Sequence, residues 1–387
     1  MGKDLRGREL GVGIHQRPDG RYQGRYVDRF GQRKSIYSVD LSMLRDKLNT
    51  AIYEDKKNMS VVDEKATLDY YFTIWLDVHK YGVIRENTRN GYIIVYNKHI
   101  KPVLGHVKLV DITQLRIKAL LRDMDKAGLG FVTRDRVRIL LLDLCGKAIE
   151  DNLLVRNPAK GIKLNRDDKK EIRVLSLQEQ QDFFECAAGT FYYNMFTMAC
   201  ESGLRPGELF ALTVQDLDFE ACVINVDKTL LYNRYEYEET KSYKVGPPKT
   251  KSSVRKVPMT DKCKQVAEKQ IVLRNIILRK TKKKLPENLG ELLFVTSTGN
   301  PINDTTYNDN INKILDRINI MRDPLEEMEH FSGHCFRHTF ATRCFEAGIQ
   351  PKTIQKYLGH ATLQMTMDLY VHVTDELMHD EIHKLEI

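Results

Sequence analysis

Side chains suited to attack on a phosphate are spread over the second half of the chain. In sequence order they are Arg205, Lys249, His334, Arg337 and Tyr370. Two guanidinium groups can hold both non-bridging oxygens of one phosphodiester, and a phenol can attack its phosphorus. A lysine and a histidine can supply protons to the reacting oxygens. Each residue type is common in proteins, so it is the combination that predicts phosphoryl-transfer chemistry.

Arg205 lies in a turn that precedes a predicted helix. Gly203 and Gly207 bound the turn, and Pro206 suits the first helical position. Because the N-terminus of a helix favours anions, this turn can direct the guanidinium toward a phosphate. Glu208 follows one turn later, close enough to orient a basic partner. Judged alone, the segment is equally consistent with a surface ion pair between Arg205 and Glu208.

A second cluster pairs His334 with Arg337, which share one side of a helix because they are three residues apart. With this many histidines and arginines, roughly one such pair is expected by chance. The sequence that follows strengthens the interpretation. His360 comes directly after a Leu-Gly pair, and Tyr370 follows after an amphipathic segment.

In this order the residues resemble the signature of the tyrosine recombinase (phage integrase) family, which consists of Arg, Lys, His-x-x-Arg, His or Trp, and Tyr. The matching positions are Arg205, Lys249, His334, Arg337, His360 and Tyr370. The segment from Pro247 to Pro258 is similar to the β-hairpin that carries the mobile catalytic lysine of the family. Its Lys-Thr dipeptide favours Lys249, and Lys251 is the alternative. The resemblance covers nearly the whole chain and extends to the integrases of conjugative transposons.

The resemblance implies a role for each of these side chains. A free phenol ionises at about pH 10, so Tyr370 needs positive charge around the phosphorus that it attacks. Arg205 and Arg337 would neutralise the phosphodiester and stabilise its five-coordinate transition state. Lys249 would protonate the departing 5′ oxygen, and the two histidines would assist proton movement and hydrogen-bond the phosphate. The product would be a 3′-phosphotyrosyl link to DNA, which a second 5′ hydroxyl can reverse without ATP or metal.

Neither a metal nor a cofactor is expected. His334, His338 and His360 could suggest zinc, but the arginine among them would repel a cation, and no carboxylate or paired cysteine completes a ligand set. The cysteines, seven in all, show no C-x-x-C spacing, which argues against a disulfide framework or a zinc ribbon and favours a reducing compartment. No apolar run approaches the roughly 18 residues of a membrane span. A cytoplasmic protein with no membrane contact is therefore expected.

Length and charge agree with a DNA-binding protein of several domains. The chain has 387 residues, of which 42% are hydrophobic, enough for two or three domains with ordinary buried cores. Its formal net charge of +8 favours a polyanionic partner. The excess of basic residues is concentrated in the first 34 positions, so the head of the chain is a candidate contact surface.

Residues 1–58 are predicted to form an arm-type DNA-binding domain. Short turn-rich stretches predict three small strands, and Asp40 is the expected N-cap of a following helix. Because side chains alternate along a strand, arginines two or four residues apart share one face. This head resembles the arm-binding sheet of the integrases, and an ordinary solvated face is the alternative. The candidate DNA contacts are Arg17, Arg21, Arg25 and Arg29.

Residues 64–160 are predicted to form an all-helical domain. Apolar periodicity predicts helices over residues 67–80, 87–100, 113–126 and 133–151, with glycines and Pro102 between them. The second of these helices lies in a segment similar to the core-binding (SAM-like) domain of the integrases. Its candidate DNA contacts are Arg85, Arg89 and Lys98, although scattered basic residues are usually ordinary surface.

Residues 171–387 are predicted to form a mixed α/β catalytic domain. It opens with a capping box from Ser176 to Glu179. Helices are predicted over residues 177–187 and 192–201, strands over 222–227 and 255–258, and further helices after that. A tail over residues 374–387 has apolar residues at roughly helical spacing. It could pack in cis, whereas the resemblance implies docking in trans on a neighbouring protomer.

The predicted fold class is therefore multidomain α+β. It comprises a small N-terminal three-stranded sheet with a helix, an all-helical core-binding domain and a mixed α/β tyrosine recombinase catalytic domain. The resemblance implies double-stranded DNA as partner, at core and arm sites, and a homo-oligomer that is a tetramer on DNA. An excisionase and a DNA-bending protein are further partners that the family implies. A type IB topoisomerase and a non-catalytic DNA-binding regulator are the alternatives.

Overall fold

The computed structural model describes residues 2–28, 32–56, 66–165, 172–233, 240–248, 250–282, 285–286 and 289–370, except for the side chains of residues 54–56, 251 and 370. The chain divides into two compact units, Met1–Lys169 and Lys170–Ile387. The finer division into domains at 1–58, 64–160 and 171–387 stays a prediction. The predicted fold class is confirmed.

The first unit begins with antiparallel strands and one helix. β1 (Gly2–Lys3) pairs with β2 (Glu9–Gly11), and a three-stranded sheet contains β3 (Ile14–Gln16), β4 (Tyr22–Val27) and β5 (Arg33–Ser38), with β4 in the centre. α1 (Leu41–Lys56) packs on this sheet through the buried side chains of Leu44 and Leu48. Asp40 is its N-cap residue, because Met43 N–H donates to Asp40 Oδ1 over 2.8 Å.

The rest of the first unit, where the structure describes it, is mainly helical, as expected. α2 (Leu68–Ile74) continues as a π-helix over Trp75–His79, and α3 (Glu86–Val95) continues as a π-helix over Tyr96–Gly105. A 3₁₀ turn (Leu109–Asp111), α4 (Gln114–Lys126) and α5 (Phe131–Glu150) follow. Trp75 and Tyr96 are fully buried in the core that these helices share.

The helix that begins with α3 is longer than the sequence predicted, because its π-helical continuation passes through Pro102 and ends at Gly105. Proline lacks an N–H and displaces the carbonyl of the preceding turn, so it normally ends a regular α-helix. Here the backbone widens into π-helical turns, and Ile100 and Leu104 stay buried on the same face. Burial of this apolar face compensates for the irregular hydrogen bonding.

The second unit mixes helices with two small sheets. It opens with α6 (Leu177–Ala187), α7 (Tyr193–Ser202) and α8 (Pro206–Ala211), followed by a 3₁₀ turn over Val214–Asp216. β6 (Leu217–Asp218), β7 (Val223–Val226) and β10 (Arg255–Pro258) form an antiparallel sheet with β7 in the centre. β8 (Thr229–Asn233) and β9 (Ser242–Gly246) form a separate hairpin inserted between β7 and β10.

The remaining elements, up to Tyr370, are helical. They are α9 (Asp261–Thr281), α10 (Asp304–Ile320), α11 (His334–Glu346), α12 (Pro351–Leu358) and α13 (Gln364–Tyr370), with 3₁₀ turns over Lys251–Ser253 and Pro324–Glu326. An aromatic cluster fixes the start of α11. Phe336 lies 5.4 Å from Phe183 and 5.9 Å from Phe196, measured between ring centroids, and all three are buried. The residues on either side of Phe336 are thereby held in place.

Candidate active site

Arg205 is the N-cap residue of α8, at the end of a tight turn from α7. Gly203 in that turn has φ +62°, a left-handed conformation that glycine adopts without strain. A Cβ on Gly203 would come within 2.3 Å of Phe340 Cδ1, so a larger residue is excluded sterically as well. The main-chain N–H of Arg205 donates to Glu208 over 3.0 Å, and Arg205 Nη1 donates to the same carboxylate over 2.8 Å. The turn therefore also orients the guanidinium.

Glu208 is the shared counter-charge of two arginines. Its side chain is 3% exposed and, besides the two hydrogen bonds from Arg205, accepts a third, of 2.9 Å, from Arg255 Nη2. Burial by itself raises the pKa of this carboxyl, but the hydrogen bond and charge of Arg255, together with those of Arg205, outweigh it and hold the pKa below its ordinary value. Glu208 is thus ionised at neutral pH and can orient both guanidinium groups.

Replacing Glu208 by glutamine is expected to lower the free energy of unfolding by about 2–3 kcal/mol, because two arginines then lose their only shared charge partner in this contact. Urea unfolding followed by circular dichroism measures the change. Glu150→Gln is the matched control. Glu150 also pairs with a basic residue three positions away, Lys147, but its side chain is 62% exposed, so a change within about 0.5 kcal/mol is expected. Equal effects in the two variants would contradict the role given to Glu208.

Arg255 belongs to this site although the sequence did not single it out. Its side chain is 5% exposed, and besides Glu208 it donates to the carbonyls of Ser253 and Tyr357. The alternation of side chains along β10 could have revealed it. Arg255 and Val257 lie on the same face of β10, and Val257 is buried. An arginine on a core-facing position needs a carboxylate partner, which Glu208 supplies.

Arg337 joins the turn of Arg205 to the end of α12. It is 3% exposed, and its Nη1 and Nη2 donate to the carbonyls of Gly203 and Leu358 over 2.8 and 2.7 Å. Burial, and then the positive charge of Arg205, lower the pKa of Arg337 to about 9. The guanidinium still carries its charge at neutral pH. The structure thus brings the two predicted arginines to one place.

His334 and His360 approach the same arginines. His334 is the first residue of α11 and is exposed. Partial desolvation of its ring, and then the positive charge of Arg337, lower its pKa. His360 follows α12 and is buried, and its Nδ1 lies 2.9 Å from Thr366 Oγ1. Burial, followed by the charges of nearby arginines, lowers the pKa of His360 to about 3. Both imidazoles are therefore neutral at physiological pH.

The depressed pKa of His360 predicts a loss of stability in acid. The pKa is about 3 in the folded chain and 6.5 ordinarily, so between these values the unfolded chain binds the extra proton and acid favours unfolding. Between about pH 7 and about pH 5 this residue is expected to remove about 2 kcal/mol from the free energy of unfolding. Urea unfolding at both pH values measures the effect. In His360→Gln the difference between the two pH values is expected to shrink, and an unchanged difference would contradict the assignment.

Both candidate lysines fall outside the described atoms, Lys249 as a whole and Lys251 in its side chain. The segment around them connects β9 to β10, whose partners are β8 and β7. It therefore lies at the end of the β7–β10 pair, after an inserted hairpin, and not in a short two-stranded hairpin. Ser253 in this turn is buried, and its hydroxyl lies 2.9 Å from Thr250 Oγ1 and 3.5 Å from Arg205 Nη1. The described part of the turn is thus in contact with the arginine site.

Gly359 allows the end of α12 to approach this turn. Its φ is +64°, and a Cβ there would lie 2.9 Å from the carbonyl oxygen of Ser252 and 3.0 Å from Arg255 Cδ. Such a contact is too short, because one neighbour is a main-chain oxygen and the other belongs to Arg255, whose guanidinium is held by Glu208. The absence of a side chain is therefore required for the turn over residues 250–253 to keep its position against the end of α12.

Gly359→Ala is expected to destabilise the chain and also to slow DNA cleavage, because its methyl group displaces the turn over residues 250–253. Gly348→Ala is the matched control. Gly348 follows α11 with φ +72° and has no heavy atom within 4 Å of an added Cβ. Both variants should lose about 1–2 kcal/mol of stability to the left-handed backbone. Only Gly359→Ala should slow single-turnover cleavage at a temperature where both are folded, and equal rates would contradict the proposed contact.

Tyr370 is the last described residue, and its side chain lies outside the description, as does the tail over residues 374–387. Its backbone ends α13, a helix that packs on α11 and α12. Thr366 and Leu369 anchor this helix, because both are buried. The helix that carries the predicted nucleophile thus packs directly on the two helices that carry Arg337 and precede His360.

Six of the seven candidate DNA contacts lie in the described part of the first unit, and their surroundings differ. Arg21 pairs with Asp19 over 2.8 Å, Arg17 lies 3.8 Å from the same carboxylate, and Arg25 is exposed on β4. Arg89 donates to Asp77 over 2.8 Å, and Arg85 and Lys98 are exposed. Arg29 lies outside the described residues. Carboxylates near Arg17, Arg21 and Arg89 are competitors that a DNA phosphate would have to displace.

The described parts of the chain lack the features of two other kinds of site. They contain no cluster of three or more histidine, cysteine, aspartate or glutamate side chains arranged to hold a metal ion. Nor do they contain a helix with the length and apolar character that crossing a membrane requires.

Family models match the chain along most of its length. The model described as "Phage integrase family" matches residues 173–376, more than half of the chain. "Phage integrase, N-terminal SAM-like domain" matches residues 67–124, and "DNA binding domain of tn916 integrase" matches residues 1–61.

Relatives and solved structures agree with these matches. The transposase from transposon Tn916 of Enterococcus faecalis is 28% identical over 404 residues, covering 99% of this chain and 96% of that protein. A structure of the Tn1549 transposon integrase in complex with transposon right end DNA has a TM-score of 0.68 at 25% identity, covering 83% of this chain and 100% of that one. A λ integrase tetramer bound to a Holliday junction has the same fold, with a TM-score of 0.54 at 19% identity over 92% of this chain and 97% of that one.

Proposed function

The chain belongs to the phage integrase family, and we propose that it is a site-specific recombinase that integrates and excises a mobile element by cutting and rejoining DNA. The observation that carries this proposal is the meeting of Arg205 and Arg337 beside His360. Their guanidinium groups are oriented by the main chain and by Glu208, so their donors are set before a phosphate arrives. Such preorganised donors are what a phosphoryl-transfer transition state requires.

In the proposed reaction, Arg205 and Arg337 bind the scissile phosphate and Tyr370 attacks its phosphorus. The phenol passes its proton to the neutral imidazole of His334, the bond from phosphorus to the 5′ oxygen breaks, and the lysine at 249 or 251 protonates that oxygen. The DNA is then held by a 3′-phosphotyrosine. A 5′ hydroxyl from another strand attacks the same phosphorus and releases the tyrosine. One phosphate ester replaces another at each step, so the exchange requires no ATP.

The proposed substrate is duplex DNA, which all three predicted domains would bind. The proposed location is the cytoplasm. Residues 1–58 would bind arm sites through Arg17, Arg21, Arg25 and Arg29, and residues 64–160 would bind core sites through Arg85, Arg89 and Lys98. Residues 171–387 would carry the chemistry. Exchange between two duplexes cuts four strands, and each copy supplies one Tyr370, so a tetramer is the proposed assembly. An excisionase and a DNA-bending protein are proposed as accessory partners.

A covalent trapping experiment tests the proposal. The full chain is incubated with a nicked duplex that carries a candidate element end, so that a short fragment leaves after cleavage and religation is prevented. A protein-linked strand on a denaturing gel, with the link mapped to Tyr370 by peptide mass spectrometry, is expected. Joined products from two different duplexes would separate a recombinase from a type IB topoisomerase, which would only relax supercoils. DNA binding without any covalent link would indicate a non-catalytic regulator.

A further inference from the structure

A side-chain contact within the described part of the second unit joins His360 to the helix of Tyr370. Thr366 is fully buried in α13, and its Oγ1 lies 2.9 Å from His360 Nδ1. Tyr370 is one turn further along the same helix. One hydrogen bond therefore connects the imidazole of the site to the segment that carries the predicted nucleophile.

The two partners of this bond are both held firmly. The main-chain N–H of His360 donates to the carbonyl of Gln355 over 3.2 Å, and Gln355 Nε2 donates to the carbonyl of His360 over 3.1 Å. The main-chain N–H of Thr366 donates to the carbonyl of Leu363 over 2.9 Å. As a β-branched residue, threonine also has few side-chain rotamers. The 2.9 Å contact is thus a fixed feature of the fold.

A neutral imidazole carries its proton on one nitrogen only, and the partner of the other nitrogen decides which. Burial, and then the charges of Arg337, Arg205, Arg255 and His338, favour the neutral form of His360. A buried hydroxyl must place its own proton on an acceptor. His360 Nδ1 lies at hydrogen-bonding distance from this hydroxyl, and an Nδ1 that accepts leaves the proton of the ring on Nε2.

We propose that Thr366 is a positioning residue, which donates its hydroxyl proton to His360 Nδ1 and so keeps the proton of the ring on Nε2. This inference rests on the proposed function for its catalytic meaning. A phosphate oxygen only accepts hydrogen bonds, so it can be bound by an Nε2–H but not by a bare Nε2. Elsewhere a hydrogen-bond partner that fixes the tautomer of a catalytic histidine is itself essential for rate. Here the hydrogen-bond partner, Thr366, lies on α13, the helix that carries Tyr370. The same contact therefore fixes the tautomer of His360 and the position of the helix of the nucleophile.

The first test reads the tautomer directly in the free, full-length chain. Protein labelled with ¹⁵N-histidine is studied by long-range ¹H–¹⁵N correlation at neutral pH, and the His360 signals are identified by their absence from His360→Gln. A protonated Nε2 and a bare Nδ1 are expected in the wild type and in Thr366→Ser. In Thr366→Val, which keeps the shape but not the hydroxyl, this single tautomer should be lost. A protonated Nδ1 in the wild type would overturn the proposal, even if Thr366→Val proved unable to fold.

The second test measures the rate of strand cleavage on the nicked duplex under single-turnover conditions. Thr366→Val should cleave roughly tenfold more slowly at saturating DNA, the size of one lost hydrogen bond, with the DNA concentration for half-maximal rate unchanged. Thr366→Ser should recover most of the rate. An unchanged rate and tautomer in Thr366→Val would overturn the inference. If the tautomers behave as expected but the wild type links to no DNA, the proposed function fails while the positioning contact stands.

Discussion

Replacing Tyr370 by phenylalanine is expected to abolish the covalent protein–DNA link while leaving DNA binding intact. The substitution removes one oxygen, the atom that would form the bond to phosphorus, and keeps the aromatic ring. Removal of a catalytic nucleophile typically costs a factor on the order of 10⁴ or more. Trapping on a nicked duplex measures the link, and a gel-shift assay measures binding.

Tyr357→Phe is the matched control for this prediction. Tyr357 lies on α12, and its main-chain carbonyl accepts from Arg255, a contact that the substitution leaves in place. Loss of its phenol oxygen should not affect trapping. Should Tyr370→Phe still trap DNA, with the link mapping to another residue, the nucleophile would be misassigned even though the family would stand.

Arg337→Lys is expected to slow cleavage by about 10³-fold, equivalent to about 4 kcal/mol of transition-state stabilisation. Lysine keeps the positive charge but cannot hold two carbonyls and present a planar pair of donors at the same time. The carbonyl that loses its donor, that of Gly203 or Leu358, also costs about 1–3 kcal/mol of stability. Cleavage must therefore be measured well below the unfolding temperature of the variant.

Arg343→Lys separates the two effects. Arg343 lies on the same helix, and it donates to the carbonyl of Leu175 and pairs with Glu346, away from the site. It should lose stability without loss of cleavage rate in the folded protein. If Arg337→Lys and Arg343→Lys cleave equally well, Arg337 acts through the fold and not on the phosphate.

Local features of the chain were predictable because they depend on neighbouring residues. The bounds of α6 and β10 agree with the prediction, and so does the capping box, in which Glu179 N–H donates to Ser176 Oγ over 3.1 Å. Short-range signals such as a cap, a turn glycine or a buried strand carry this information. The site residues, by contrast, were assigned from their order along the chain, which resembles the family signature, and not from these local signals.

Other features were not predictable, since they depend on segments far apart in the sequence. Glu208 was expected to orient a basic partner, but only the fold shows that Arg255 is a second one, 47 residues away. The contact of His360 with Thr366 likewise requires α13 to pack on α11 and α12. The β8–β9 hairpin was missed because its strands are mostly half-buried and lack a clear alternation of apolar and polar residues.

Two of the five N–H donors of Arg337 are already engaged by main-chain carbonyls. A guanidinium anchored in this way cannot move to reach a phosphate that is displaced from the site. The duplex must therefore deform so that its scissile phosphate reaches Arg337. Bending and unstacking DNA requires energy that depends on the base steps involved. Sequences with flexible pyrimidine–purine steps beside the cut should therefore react faster than stiff A-tracts, and target preference can arise at base pairs that no side chain touches.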